Sequence, residues 1–338
     1  MDLHVLWFFI LGALLCGYAV LDGFDLGVGI LHLFVRNDHE RRIFMGAIGP
    51  LWDGNEVWLV CLGGALFAAY PEAYATLTSG FYTIFMLVLL ALICRAVSLE
   101  FRGKVRSLFW RNLWDTLFFL ASLLATFLFG VGVGNSMAGV PLDAFGIYRG
   151  TFRDLLNPYA LTVGLLSVAM FTMHGAAFLV LKTTGHLQAR VRRWMGWGFV
   201  AFTLLYMAVT VMTVVTIPRA PANLADHPWA WIVIVFHVAA MAAIPFAIRR
   251  HRGIAAFTAS SATITALLFL FGLALFPNLV PSNPEPQNSL TVFNAASSEK
   301  TLGIIAIIAG IGMPFVVAYT AIVYKVFSGK VELDSTGY

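Results

Sequence analysis

The stretch Gly49-Pro-Leu-Trp-Asp-Gly-Asn-Glu-Val-Trp58 places three polar side chains inside a segment that is otherwise apolar enough to cross a membrane. Asp53 and Glu56 are three residues apart, so they share a face if the segment is helical. A carboxylate near the centre of a bilayer costs roughly 2.5–3.5 kcal/mol even on a lenient insertion scale. This face is therefore not expected to contact lipid, and Asp53, Asn55 and Glu56 predict an internal polar site.

The rest of the chain is equally apolar. Of its 338 residues, 60% are hydrophobic and only 11% are charged, whereas soluble globular proteins carry about 25% charged residues. The net charge of +4 does not by itself indicate a nucleic-acid partner, and we predict none. The composition predicts an all-α protein that crosses the membrane several times and forms one integral membrane domain over residues 1–338.

Nine apolar stretches of roughly 20 residues or more predict nine transmembrane helices. They are expected at about 5–33, 44–68, 76–95, 113–136, 156–181, 195–216, 229–248, 254–276 and 302–327. Seventeen of the 21 Lys and Arg residues fall in the connections after spans one, three, five and seven and in the C-terminal tail. The positive-inside rule makes that side cytoplasmic and places the N-terminus outside. The two longer outside loops, 137–155 and 277–301, are expected to be irregular.

The first span contains a second acidic pair, Asp22 and Asp25, again three residues apart. At 1.5 Å per residue, Asp25 lies about 13 Å and Asp53 about 15 Å from the cytoplasmic surface. Because spans one and two are antiparallel neighbours, we expect the four carboxyl groups to meet at similar depth. Gly23 and Gly27 form a pair of small residues that predicts the close approach of another helix.

These acids predict a path that carries protons or ions from the cytoplasm, because a buried carboxyl group without a nearby cation takes up a proton readily. The predicted path residues are Asp22, Asp25, Asp53 and Glu56, supported by Trp52, Asn55, Arg95 and Glu100. Two alternatives stay open: the acids only hold helices together, or the chain is an ion-coupled secondary transporter. Arg95, at the predicted end of span three, is expected to extend to the membrane surface as a snorkelling anchor.

The eight histidines include no pair at metal-ligand spacing within one helix, so no metal site is predicted in this chain. His174 and His237 lie inside predicted spans and are expected to be packing residues. Arg111, Trp114 and Asp115 are expected to open span four, with Trp114 at the membrane interface.

Several stretches in fixed order resemble one protein family. They are Gly17-Tyr-Ala-Val-Leu-Asp-Gly-Phe-Asp-Leu-Gly-Val-Gly29, Arg36-Asn-Asp-His-Glu-Arg-Arg42, Gly49-Pro-Leu-Trp-Asp-Gly-Asn-Glu-Val-Trp-Leu59, Phe67-Ala-Ala-Tyr-Pro71, Trp110-Arg-Asn-Leu-Trp-Asp115 and Leu156-Asn-Pro-Tyr-Ala-Leu161. The chain is similar to subunit II of the cytochrome bd-type quinol oxidases over its entire length. Its short connection at 217–228 resembles compact members, including the cyanide-insensitive branch.

The resemblance implies a nine-helix subunit beside a similarly folded subunit I in the bacterial inner membrane. In that family the complex oxidises quinol, reduces dioxygen to water and takes protons from the cytoplasm, with two b-type haems and one d-type haem on subunit I. It therefore implies an enzyme complex with no catalytic residue assigned to this chain. The family's proton-supplying acids match Asp25 and Asp53, with Asp22 adjacent. A structural quinone, a small single-helix subunit and membrane lipid are further expected partners.

Overall fold

The computed structural model describes residues 2–35 and 37–331. Within these residues the backbone forms twelve α-helices and one two-stranded antiparallel sheet. The helices are α1 (Leu3–His32), α2 (Asp38–Ile48), α3 (Trp52–Ala69), α4 (Pro71–Gly80), α5 (Tyr82–Phe101), α6 (Leu108–Ala138), α7 (Pro158–Lys182), α8 (Gly185–Thr216), α9 (Arg219–Asp226), α10 (Ala230–Arg249), α11 (Gly253–Leu275) and α12 (Glu299–Val326), and the strands are β1 (Asn278–Val280) and β2 (Leu290–Thr291). The predicted all-α class is confirmed.

Eight of the described helices are long and apolar enough to cross a membrane, namely α1, α5, α6, α7, α8, α10, α11 and α12. They correspond to eight of the nine predicted spans, but several begin earlier than predicted. α6 begins at Leu108 rather than at 113, and α8 begins at Gly185 rather than at 195. The helices continue into polar residues because backbone hydrogen bonding does not stop where the apolar side chains stop.

The second predicted span, 44–68, is wrong as one continuous helix. α2 ends at Ile48 and α3 begins at Trp52. Pro50 has no N–H, and its ring would clash with the carbonyl group four residues earlier, so the chain breaks there. Asp53 consequently lies in the first turn of α3, where the positive end of the helix dipole favours a carboxylate.

The third predicted span, 76–95, is displaced along the chain. α4 ends at Gly80, and α5 is a separate helix that runs past Arg95 to Phe101. Arg95 is therefore an interior residue of α5 rather than its last residue. The guanidinium group of Arg95 can therefore reach the interior of the helix bundle.

The predicted close approach at Gly23 and Gly27 is confirmed, and the partner is α7. A Cβ atom added at Gly27 would lie 1.9 Å from the carbonyl oxygen of Phe171. A Cβ atom added at Gly175 of α7 would lie 2.5 Å from the carbonyl carbon of Gly27. The two backbones are thus in direct contact, which fixes the position of α1 in the bundle.

Connections rich in Lys and Arg meet at one end of the bundle, called here the basic end. Arg190 of α8 forms an ion pair with Glu40 of α2, and the Lys182 ammonium group at the end of α7 donates to the backbone carbonyl of Phe327, just after α12. The cytoplasmic placement of the basic end stays a prediction from the positive-inside rule.

The two longer loops pack on each other at the opposite end. The Val140 N–H donates to the Pro281 carbonyl at 3.0 Å, and the Asn283 N–H donates to the Val140 carbonyl at 3.1 Å. β1 and β2 pair within the segment 277–301. This segment therefore contains more regular structure than predicted.

Candidate functional site

Two carboxyl groups of α1 lie in the interior of the helix bundle. Asp22 and Asp25 are both fully buried. Glu56 of α3 and Arg95 of α5 complete the group, and we call these four residues the acid–arginine cluster. Three helices that are distant in sequence therefore contribute charged side chains to one buried place.

Arg95 is the centre of this cluster. Its guanidinium Nη1 lies 2.8 Å from Asp22 Oδ1, and its Nη2 forms a second ion pair with the Glu56 carboxylate. The Arg95 side chain is fully buried, so the predicted snorkelling orientation is wrong. The physical reason is that α5 continues past Arg95 while Asp22 offers an interior partner, which a buried cation requires.

Asp25 is bound differently from the other two acids. The Asn55 amide nitrogen donates to Asp25 Oδ2 at 2.7 Å and to the Leu21 carbonyl at 3.2 Å. The Tyr324 hydroxyl of α12 donates to Asn55 Oδ1 at 2.9 Å. No salt bridge of the described residues includes Asp25, so its direct contacts are to a neutral amide.

The structure does not bring Asp53 into the cluster. Asp53 and Glu100 are exposed on the surface of this chain, and Trp52 is partly buried against the core. Asp53 lies two positions before Asn55, which is about 200° around the helix axis at 3.6 residues per turn. The expectation that four carboxyl groups meet is therefore wrong for Asp53 and right for Asp22, Asp25 and Glu56.

Sequence reasoning missed a third buried carboxyl group, that of Asp115 in α6. Its Oδ1 lies 2.6 Å from His32 Nε2 and 2.5 Å from Arg102 Nε, and its Oδ2 lies 2.8 Å from Arg41 Nη1. Asp115 is fully buried, although the sequence placed it at the opening of a span. The signal in the sequence was that Asp115 is a lone acid close along the chain to the arginines of a predicted basic connection.

This Asp115 hub joins the basic-end connections to one another. Arg102 also contacts Asp38 at 2.7 Å. Burial alone would lower the pKa of Arg102, but the hydrogen bonds and charges of Asp115 and Asp38 raise it above its ordinary value. The hub thus joins α1, α2, α6 and the end of α5, and its carboxylate oxygens contact two arginines and one histidine.

The two intramembrane histidines contact other protein groups. His174 Nε2 donates to the Val20 carbonyl at 2.9 Å, and its Nδ1 lies 2.7 Å from the Ser260 hydroxyl. His237 is buried with its ring 5.1 Å from that of Tyr206. The contacts of His174 agree with the predicted packing role.

A helical bundle with eight candidate spans and a buried cluster of carboxyl and guanidinium groups defines a multi-pass integral membrane protein with ionisable groups between its helices. Such groups are rare within membranes and mark ion or proton pathways or structural ion pairs. The chain belongs to the family described as cytochrome bd terminal oxidase subunit II, whose model matches residues 3–327. This assignment replaces the secondary transporter that the intramembrane acids alone left open.

Relatives give the same family, and a solved structure has the same fold. The chain is 35% identical to cytochrome bd-I ubiquinol oxidase subunit 2 of Escherichia coli (strain K12), with 98% of this chain and 96% of the relative covered. It is 37% identical to cytochrome bd ubiquinol oxidase subunit 2 of Bacillus subtilis (strain 168), with 98% and 97% covered. The bd oxidase structure from Geobacillus thermodenitrificans shares the fold, with a TM-score of 0.80 at 18% identity over 97% of this chain and 99% of that chain.

Membership of this family shows in which kind of protein complex the acid–arginine cluster lies. The chain is a bacterial membrane protein and one subunit of a cytochrome complex, so haems and a partner subunit I belong to the assembly. The predicted resemblance is confirmed. The acid–arginine cluster is thus a buried ionisable site in the second subunit of a terminal oxidase.

Proposed function

We propose that this chain serves a respiratory complex that oxidises quinol and reduces dioxygen to water, and that it lines part of a proton path from the cytoplasm. Relatives named as ubiquinol oxidase subunits over nearly the whole chain support the reaction. Reduction of dioxygen to water consumes protons, which must cross the apolar part of the membrane protein through ionisable groups.

The observation that carries the proton path is the composition of the acid–arginine cluster. It has three carboxyl groups and one guanidinium group, and Arg95 pairs with two of the three. A buried charge without a paired opposite charge is costly. Protonation of one carboxyl group therefore reduces the excess negative charge of the cluster, and Asp25, held by a neutral amide, is the proposed site of that proton.

A route out of the cluster leads through α3. The Glu56 side chain is 24% exposed, so it connects the buried acids to the outer surface of α3, where Asp53 is exposed. We assign Asp22, Asp25, Glu56 and Asp53 to the path. Asn55 and Arg95 position the acids.

The exposed position of Asp53 also supports a location for subunit I. A carboxylate on a lipid-facing surface would be unfavourable, yet Asp53 shares its side of the chain with the exposed apolar residues Val57 and Val60. A partner subunit that packs against α3 removes this conflict and receives the proton from Asp53. The exposed faces of α8 and α12 leave room for lipid and for a small single-helix subunit.

Haem ligation by subunit I agrees with the contacts of His174. Both ring nitrogens of His174 already contact protein groups, so His174 would have to break these contacts to bind iron. We therefore place the two b-type haems and the d-type haem on the partner, where they supply electron transfer and dioxygen reduction. This chain's residues supply protons and packing.

A structural quinone has a suitable cavity in this chain. A cavity of about 450 Å³ lies between α1, α6, α7, α8 and α11, and most of its lining is apolar. The hydroxyl-bearing side chains of Tyr18, Tyr159 and Tyr206 also line it. Ligand cavities of 300–1,000 Å³ with few polar groups are typical for such molecules. Extraction and identification of quinone from purified complex, with Tyr206→Phe as a comparison, tests this assignment.

The proton path is tested with Asp25→Asn in the assembled complex. We expect haem content to stay at the wild-type level, while quinol oxidase turnover and proton uptake fall at least tenfold. Asp115→Asn is the matched control, because its carboxylate is equally buried but fully paired with cations. It is expected to reduce assembly without changing turnover per haem.

Two results would contradict the proposal. Wild-type turnover and proton uptake in Asp25→Asn would remove this residue from the path. Loss of haem or of the partner subunit in proportion to the loss of turnover would instead favour the alternative, in which the acids only stabilise the complex. Asp53→Asn measured alongside tests the proposed exit from the cluster.

A further inference from the structure

A second cavity opens at the basic end of the bundle, where α7 and α12 end and α11 begins. Its volume is about 540 Å³. One part of its wall is apolar and consists of Phe178, Leu181, Ile254, Phe257 and Phe327. Ile254 is 72% and Phe327 is 46% exposed, so the apolar wall continues onto the outer surface of the helices.

The other part of the wall is cationic. Lys182, Arg192 and Lys330 line it, together with His251, whose Nδ1 accepts a hydrogen bond from the Arg192 guanidinium group. Lys182 is only 9% exposed, and its ammonium group donates to the Phe327 carbonyl. The Lys330 ammonium group donates to the Val180 carbonyl at 3.1 Å, so both lysines bind neutral backbone groups rather than carboxylates.

Within residues 2–35 and 37–331, these cations form no ion pair with a carboxylate. None of the salt bridges among the described residues includes Lys182, Arg192 or Lys330. Burial, and then the neighbouring charge of Arg192, lower the pKa of Lys330. Several like charges around one cavity repel one another, and a bound anion would relieve this repulsion.

We infer that this cavity binds one anionic phospholipid of the adjacent membrane leaflet. The phosphate group sits between Arg192 and Lys330 with Lys182 beneath it, and an acyl chain follows Ile254 and Phe327 onto the outer surface. Basic pockets between helices at a membrane boundary recognise anionic headgroups. A small soluble anion would use the cations but would leave the apolar wall without a partner.

The position in the fold explains why a lipid is the preferred occupant. The cavity lies between helix ends, at the level where the apolar spans give way to basic connections. Headgroup phosphates of a bilayer lie at this boundary, with their acyl chains directed along the helices. The cavity volume also falls in the range of ligand sites.

The test compares lipid retention by two double variants of the complex. Arg192→Gln with Lys330→Gln removes the two more accessible cations of the cavity. Arg249→Gln with Arg252→Gln is the matched control, because it removes two exposed charges of the same basic end that do not line the cavity. Each complex is purified in mild detergent, and bound phosphatidylglycerol is counted by native mass spectrometry before and after incubation with phosphatidylglycerol or phosphatidylcholine vesicles.

We expect one phosphatidylglycerol per wild-type and control complex. We expect the affinity to be about 25-fold lower in the Arg192→Gln, Lys330→Gln variant, because each of the two cations near an anionic headgroup contributes about fivefold. Phosphatidylcholine should not replace the bound lipid. Equal retention in both double variants would overturn the proposal, as would displacement of the lipid by inorganic phosphate at millimolar concentration. The readout is bound lipid, so it does not depend on oxidase turnover.

Discussion

Removal of Arg95 is the sharpest perturbation of the acid–arginine cluster. Arg95→Met keeps an unbranched side chain of moderate length but deletes the guanidinium group that lies between Asp22 and Glu56. The two carboxylates then face each other across the site without a cation. We predict a large loss of stability in the complex, and we predict that neutralising Asp22 restores most of it.

The magnitude follows from burial. Breaking a buried ion pair by removing one partner costs about 3–5 kcal/mol, because the other charge is left uncompensated. Asp22 is fully buried and carries this cost, whereas the Glu56 side chain is 24% exposed and can be hydrated. With Asp22→Asn added, only lost hydrogen bonds of about 1–3 kcal/mol should persist, so the two substitutions should compensate by about 2 kcal/mol or more.

A double-mutant cycle measures this coupling. Wild type, both single variants and the double variant are unfolded with SDS in mixed micelles while the helical circular dichroism signal is followed. Arg190→Met is the matched control, since its ion pair with Glu40 lies at the basic end and is partly exposed. Such a pair contributes only about 0–1 kcal/mol.

Two outcomes would refute the reasoning. Arg95→Met with wild-type stability would mean that the cluster is already neutral or hydrated. A double variant no more stable than Arg95→Met would mean that the loss comes from packing and not from the uncompensated carboxylate.

Three further predictions concern other contacts of the structure. Gly27→Val should prevent assembly, because an added Cβ atom would lie 1.9 Å from a backbone carbonyl oxygen of α7. Gly12→Val is the control and should assemble normally, because an added Cβ atom there has nothing within 4 Å. Co-purification of the partner subunit measures assembly of both variants. Tyr324→Phe deletes the hydroxyl group that orients Asn55 and should cost about 1 kcal/mol of stability, measured by the same SDS titration. Unchanged stability would mean that this hydrogen bond does not contribute to the stability of the folded protein. In the loop 137–155, backbone N–H groups and Arg149 hold the pKa of Asp143 below its ordinary value, so its contribution to loop order is present at neutral pH and lost as the pH falls through that lowered pKa. Proteolysis of this loop should therefore accelerate in acid, and Asp143→Asn should remove that dependence.

Much of the bundle could be predicted because the thickness of a membrane sets the length of the apolar segments that cross it. Eight spans follow directly from hydropathy, and the close packing at Gly27 follows from a small-residue pair. Helix ends could not be predicted in the same way, since hydropathy describes side chains while helix ends depend on backbone hydrogen bonds. The break at Pro50 had a visible signal in the Gly-Pro dipeptide.

The candidate site was predictable only in part for a related reason. Asp22, Asp25 and Glu56 were identified because acids are conspicuous in apolar segments. Arg95 was misplaced because the predicted span ended at it, and Asp115 was missed because its partners Arg41 and Arg102 come from loops that read as ordinary basic anchors. Which distant segments pair is decided by the tertiary structure, and the spacing of residues along one sequence does not reveal it.

The backbone contact between Gly27 and Gly175 has a mechanical consequence. No flexible side chain separates α1 from α7 there, so α1 cannot slide or rotate against α7 without a steric clash. Asp22 and Asp25, which lie on α1, are thereby held at a constant position relative to α7. Any movement of α1 relative to α7 at this level would first require the two helix backbones to separate.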